Sequence, residues 1–165
     1  NVYGKEDTLV TIQIDMLLAK KFGMEYIDVD GQKKNPYIIH RTSLGCFERT
    51  LAYMIEHFAG ALPLWLSPTQ VMIMPIADRQ LDFAYDVKKK LEAEGIRVEV
   101  DDRSEKIGYK IRSEKIEKIP YMLVIGDKEM EAGTVSLRSR KDGDMGAMPV
   151  DEVVAKISLE NKERV

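Results

Sequence analysis

A chain of 165 residues, 44% hydrophobic and 32% charged, is sized and composed as one globular domain or a compact domain beside a smaller piece. That balance excludes wholesale disorder, no apolar run approaches the ~20 residues of a membrane span, and the single cysteine, Cys46, excludes an internal disulfide. The net charge of -3 requires any nucleic-acid contact to use a local basic patch, and the lone thiol fits a reducing cytoplasm.

The opening Asn1-Val2-Tyr3-Gly4-Lys5 has neither an initiator methionine nor a signal-peptide profile, so a piece of something longer is expected. "LVTIQIDM", Leu9 to Met16, alternates as a half-buried strand should. "EYIDVDGQKKNPYIIH" reads as a hairpin turning at Asp30-Gly31. After Gly45, apolar residues at Phe47, Leu51, Met54, Ile55 and Phe58 form a helical stripe. Ser43 or Gly45 caps its start, and Glu48 in the first turn complements the helix dipole. Pro63 and Pro68 bracket a turn, which divides the chain into residues 1–66 and 67–165. The first portion is too small to bury much core and reads as the tail of a larger antiparallel sheet.

Beyond the turn the signals alternate. "VMIMPI" is a short apolar strand. "DRQLDFAYDVKKKLEAEG" is a helix, with Leu81, Ala84, Tyr85 and Leu91 on its apolar face and Gly95 as its stop. "IRVEV" is a strand, "SEKIGYKIRSEKIEKI" a second helix ended by Pro120, and "YMLVI" and "TVSLRSR" are further strands. "VDEVVAKISLENK" closes as a helix with Val153, Val154 and Ile157 on one side. This order implies an α/β module of about 100 residues, a mixed sheet covered by helices.

Three places carry candidate chemistry. Arg49, one turn into a helix beside a glycine, either pairs structurally with Glu48 or lays its guanidinium on a planar base or a phosphate. His40, at a strand end, is either a hydrogen-bonded structural group or a metal ligand. Zinc needs three or four ligands, and the other soft donors, Cys46 and His57, stand at no familiar zinc spacing. The stretch Arg103 to Lys118 holds six basic and three acidic residues. It is either a solvated amphipathic helix or a phosphate-neutralising edge with Tyr109 as a stacking face.

"HRTSLGCFERTLAYMIEHFAGALPLWLSPTQV" resembles the segment of threonyl-tRNA synthetases that carries class II motif 3, whose Gly-x-x-Glu-Arg core opens a long helix. The likeness continues through "DDRSEKIGYKIR", "IPYMLVIGDKEMEAGTVSLRSR" and "MPVDEVV", and so covers roughly Thr11 to Val154. The ordered succession of long blocks carries it. The chain departs in Cys46, where the family usually has Ser, and in "YGKEDTLVTIQ", which lacks the family's Pro and Trp-Gln-Cys.

The resemblance implies a remnant of the class II antiparallel sheet with its motif 3 helix, then an anticodon-binding domain built on a mixed five-stranded sheet with flanking helices. The parent would be an ATP-dependent threonine–tRNA ligase using ATP with Mg, a zinc ion and threonine transfer RNA. Arg49 would be its catalytic motif 3 arginine, on the adenine, with Gly45 and Cys46 beside the nucleotide. Tyr3 and Gln13 would contact substrate, and His40 would be one of three zinc ligands, the others lying outside this chain. The base readers would be Ser104, Arg112, Glu129 and Arg138, since Arg donates paired hydrogen bonds and Glu accepts from exocyclic amines. The parent would be a cytoplasmic homodimer with no membrane association. This chain alone, lacking motifs 1 and 2, would be inactive and a monomer or weak dimer. The rival implication is a non-catalytic RNA-binding or interaction protein descended from such a synthetase.

Overall fold

The computed structural model describes residues 2–6, 8–42 and 44–164, so Ser43, one expected helix cap, lies outside the described residues. The chain forms two compact units, 1–57 and 58–165. The division falls earlier than the turn at Trp65 to Gln70, because Leu64 is buried in the core of the second unit. Arg97 fastens that stretch further, donating from Nη2 to the carbonyls of Trp65 (2.9 Å) and Ser67 (2.8 Å).

In the first unit, strand β1 (Ile12–Asp15) is followed by a single helical turn, α1 (Leu18–Lys21). Asp15 Oδ1 accepts from the backbone N–H groups of Leu17 and Leu18, each at 2.8 Å, and so caps that turn. A two-residue ladder, β2 (Tyr26–Ile27) with β3 (Lys33–Lys34), makes the expected hairpin about Asp30-Gly31. The residues after it leave the hairpin: β4 (Ile38–Arg41) pairs antiparallel with β1, setting Gln13 opposite His40. Helix α2 (Phe47–His57) closes the unit. Ala19 is the one buried residue among those described here. The apolar stripe of α2 stays open, with Phe47 75% exposed and Leu51 and Ile55 about half so. This unit thus has an amphipathic helix and strands but almost no core.

The second unit has its own core. Strands β5 (Val71–Pro75), β6 (Val98–Val100), β7 (Tyr121–Ile125), β8 (Thr134–Ser139) and β9 (Gly143–Pro149) form one sheet in the order β6-β5-β7-β8-β9. β6, β5 and β7 are parallel; β8 and β9 are antiparallel. Helices α3 (Leu81–Ala93) and α6 (Val150–Glu163) supply Ala84, Val87, Leu91, Val153 and Ile157 to the larger core, with Leu123, Leu137 and Ile73 of the sheet. Each fully buried Val, Leu or Ile among them contributes about 1.5–3 kcal/mol of transfer free energy. On the opposite face, α4 (Ile107–Glu117) sets Ile107 and Ile111 against Met72, Met74, Met122 and Val124. α4 stops at Lys118, which adopts the left-handed conformation two residues before Pro120.

Local pattern located neither the single turn α1 in the first unit nor, in the second, the short α5 (Asp127–Ala132) and β9, the fifth strand of the sheet. On α3, Tyr85 is exposed and Val87 buried in its place, because residues 84, 87 and 91 share a face at 3.6 residues per turn and 85 does not. No helix among the described residues is long and apolar enough to cross a membrane.

Candidate nucleic-acid interface

The parallel strands β5, β6 and β7 end on one edge, and the loops leaving their carboxyl ends carry a buried polar cluster and a braced helix cap. In open α/β sheets this edge is where ligands gather. After β6, Asp101 is buried and receives three bonds from Arg103: backbone N–H at 3.1 Å and Nε at 2.9 Å to Oδ1, and Nη2 at 2.7 Å to Oδ2. This guanidinium holds the Asp101 carboxyl below the usual carboxylate range, and the carboxylate in turn pushes the Arg103 pKa up. Lys110, on α4, is buried beneath it and donates from Nζ to the carbonyls of Asp101 (2.7 Å) and Pro75 (3.3 Å). Glu114, also buried, lies 3.5 Å from Arg103 Nη2 through Oε1, while its Oε2 has no hydrogen-bond partner among the described residues. Burial pushes the pKa of Glu114 up, with nearby Glu117 adding to the effect.

Lys110 therefore does not face phosphates, as its place in the basic stretch suggested, and Arg103 is committed to Asp101. Besides the half-exposed Arg103, the cations of this stretch on the surface are Lys106, Arg112, Lys115 and Lys118. Tyr109 keeps an exposed ring, 57% accessible.

The four expected base readers take different positions. Ser104 is exposed in the loop before α4, directly after the Asp101–Arg103 clamp. Arg112 is exposed on α4, next to the half-buried Ile111. Arg138 stands on β8 opposite Met122 of β7, and Met122 packs with Ile107 and Ile111 of α4. Alternation along β8 puts Val135 and Leu137 into the larger core and turns Arg138 to the α4 side. Ser104, Arg112 and Arg138 thus flank one face of the sheet. Arg138 Nη2 donates to the Asp144 carboxylate on β9, which fixes the fork of the guanidinium.

Glu129 is on α5, at the end of β7. Its Oε2 accepts the backbone N–H of Gly126 at 3.0 Å, closing the cap of α5. A Cβ at Gly126 would stand 2.9 Å from that oxygen and 3.1 Å from Ile76 Cδ1. Next to it, Asp127 accepts from Arg79 Nε (2.6 Å) and Gln80 Nε2 (2.5 Å), bracing the loop after β5 against α5.

In the first unit, Gln13 and His40 face each other across β1 and β4, as the register requires. Gly45 has φ +69, and its missing Cβ leaves room for the backbone carbonyl of Leu9. Arg49 Nη1 donates to the neighbouring Thr8 carbonyl at 2.7 Å. Cys46 Sγ donates to Glu48 Oε2 at 2.9 Å, so Glu48 binds the thiol. Tyr3 is exposed. His40 is a single donor: among the described residues no group of three His, Cys, Asp or Glu is placed to hold a metal ion. A zinc site here would need donors from outside these residues.

The sequence of residues 70–160, most of the second unit, matches a known family described as the anticodon binding domain. The chain belongs to that family. Over 99% of its length it is 57% identical to a threonine–tRNA ligase of Clostridium perfringens (strain SM101 / Type A), covering 26% of that protein. It is 54% identical, again over 99% of the chain and 26% of the relative, to the threonine–tRNA ligase of Clostridium botulinum (strain Eklund 17B / Type B). Among solved structures, the RNA binding domain of threonyl-tRNA synthetase from Cryptosporidium parvum Iowa II superposes with a TM-score of 0.77 at 33% identity, over 96% of this chain and 40% of that one. Prolyl-tRNA synthetase from Cryptosporidium parvum gives 0.75 at 27% identity, over 94% and 34%. The chain spans about a quarter of the length of the curated relatives it matches. The fold expected from the resemblance, a mixed five-stranded sheet with flanking helices, is the one found.

The residues missed by sequence reasoning are Asp101, Lys110, Glu114 and Gly126. The first three lie in or beside a stretch whose charge pattern reads as solvated, and only the crossing of β5, β6 and α4 reveals their burial.

Proposed function

We propose that this chain is the anticodon-reading portion, with an adjoining piece of catalytic domain, of a threonine–tRNA ligase. The observation that carries this reading is the identity of 57% along essentially the whole chain, together with Ser104, Arg112 and Arg138 flanking one sheet face. On that face the partner is an unpaired RNA loop, threonine transfer RNA, whose bases are read by hydrogen bonds to Arg112, Arg138, Glu129 and Ser104 and stacked on exposed rings such as Tyr109.

In the first unit, Arg49 and Gly45 belong to motif 3 and hold the adenine of ATP, with Cys46 alongside. His40 supplies one ligand of a substrate-sensing zinc ion, and Gln13, opposite it, faces the amino acid with Tyr3. The parent joins threonine to ATP with Mg and transfers it to RNA in the cytoplasm, as a homodimer. The exposed apolar stripe of α2 supports a larger catalytic body around this unit.

The test is binding of the chain to threonine transfer RNA at fixed salt, against the same RNA with each anticodon base exchanged. A wrong base is expected to weaken binding by ~1–3 kcal/mol, and Arg112→Ala or Arg138→Ala to flatten that difference. Binding indifferent to the anticodon would move the reading to a non-catalytic RNA-binding protein of the same descent. The chain alone is expected to show no threonine-dependent ATP–pyrophosphate exchange, and measurable exchange would overturn that part.

A further inference from the structure

We propose that Asp101, Arg103 and Lys110 are positioning residues, holding the reading groups of this surface in place without contacting bases themselves. The proposal rests on the anticodon-reading function above and adds how its geometry is set. Three elements converge on the cluster: β5 ends at Pro75, β6 at Val100, and α4 begins at Ile107. Lys110 Nζ ties the first two to the third through the carbonyls of Pro75 and Asp101.

Arg103 folds back on Asp101 through its backbone and its guanidinium, so residues 101–103 form a closed clamp, and Ser104 is the next residue along. Arg112 lies two residues beyond Lys110, about 200° around α4. Anchoring Lys110 inward therefore turns Arg112 outward. Arg103 Nη2, 3.5 Å from Glu114 Oε1, adds a second tie to the same helix.

Stability does not require such a cluster. Well-packed apolar residues in place of buried ion pairs are often neutral or stabilising. What the ions supply here is direction: Lys110 donates to two fixed carbonyls and Asp101 accepts from Arg103, whereas an apolar plug would leave the 101–106 loop free to choose its path.

The experiment measures binding of the full chain to threonine transfer RNA and to its anticodon-exchanged forms, over a range of salt, for wild type, Arg103→Lys and Asp101→Asn. Arg103→Lys keeps the charge at a half-exposed position and loses the paired donors. Asp101→Asn removes a negative charge and is checked for folding by its thermal melt. The wild type should prefer the right base by about tenfold or more. Both variants should bring that preference below about threefold while keeping the salt slope and the affinity for the wrong-base RNA.

Preserved preference in a folded variant would overturn the proposal. So would an equal loss on every RNA with a shallower salt slope, which would make Arg103 a phosphate contact. Should Asp101→Asn not fold, Arg103→Lys decides alone. A wild type without preference overturns the anticodon reading itself, an outcome separate from these.

Discussion

Gly126→Ala tests how the reading edge is held. Gly126 has φ -111 and ψ -172, ordinary extended backbone, so alanine brings no conformational strain. The effect is therefore steric. The new methyl would sit 2.9 Å from Glu129 Oε2 and 3.1 Å from Ile76 Cδ1, both the far ends of side chains. Ile76 is 52% exposed and can move into solvent cheaply. Glu129 cannot move without giving up the Gly126 N–H, a charge-assisted bond whose loss costs about 1.5–3 kcal/mol. Less than the full amount is expected, because Gly126 is buried but the Glu129 carboxylate is only half-buried and can turn to water, so the substitution should destabilise by about 1–2 kcal/mol. In a unit of this size that lowers Tm by roughly 4–10 °C. A double-mutant cycle isolates the route: in a Glu129→Ala background, Gly126→Ala should cost only a few tenths of a kcal/mol. An equal loss in both backgrounds would mean that the backbone, not Glu129, gives way, and the reasoning would fail.

Two further substitutions follow from buried geometry. Glu114 has a folded pKa raised above its ordinary 4.5 by burial, so its protonated form is favoured in the fold. That contribution is complete below 4.5 and is lost as pH rises through the folded value. Glu114→Gln should then match wild type near pH 4 and surpass it near neutrality, read from urea midpoints across the range; a deficit growing with pH would show that the Arg103 contact outweighs burial. At Gly45, φ +69 and a Cβ 1.8 Å from the Leu9 carbonyl put backbone on both sides of the clash. Gly45→Ala should destabilise the first unit by about 2 kcal/mol or more. It would be seen as faster amide exchange in residues 8–10 and the first turn of α2, and unchanged exchange there would contradict the close approach.

Much of the second unit was legible because its strands are apolar runs and its long helices are periodic. β5 and β7 are buried on both faces and read as continuous hydrophobic stretches, and β8 alternates residue by residue. β9, "GDMGAMP", is almost wholly exposed and glycine-rich, so it shows no pattern; it exists because β8 offers it hydrogen bonds. α5 is too short for a helical period to declare itself. The site divides the same way. Arg112 and Ser104 lie on the surface, where charge and polarity in sequence are a fair guide. Lys110 and Glu114 carry the same chemistry three and seven residues after Ile107, on the buried side of α4, where no local pattern separates them from their solvated neighbours.

That burial also decides how an acidic chain can hold RNA. The cluster buries Lys110 together with Asp101 and Glu114 and ties the half-exposed Arg103 to Asp101, so cations and carboxylates offset one another and the positive surplus on the outer edge of α4 survives. With Arg112 and Arg138 given to the bases, what remains on this stretch to meet a backbone is short: Lys106, Lys115 and Lys118. Three phosphate contacts on a single strand give a slope of log K against log salt of about -2. Non-specific binding on such a surface is weak at physiological salt. A useful affinity must come from the bases, through forks and carboxylates held at fixed angles, and a surface poor in cations selects its RNA by that contrast. The buried ions serve recognition by being absent from the electrostatic contact and present in the geometry.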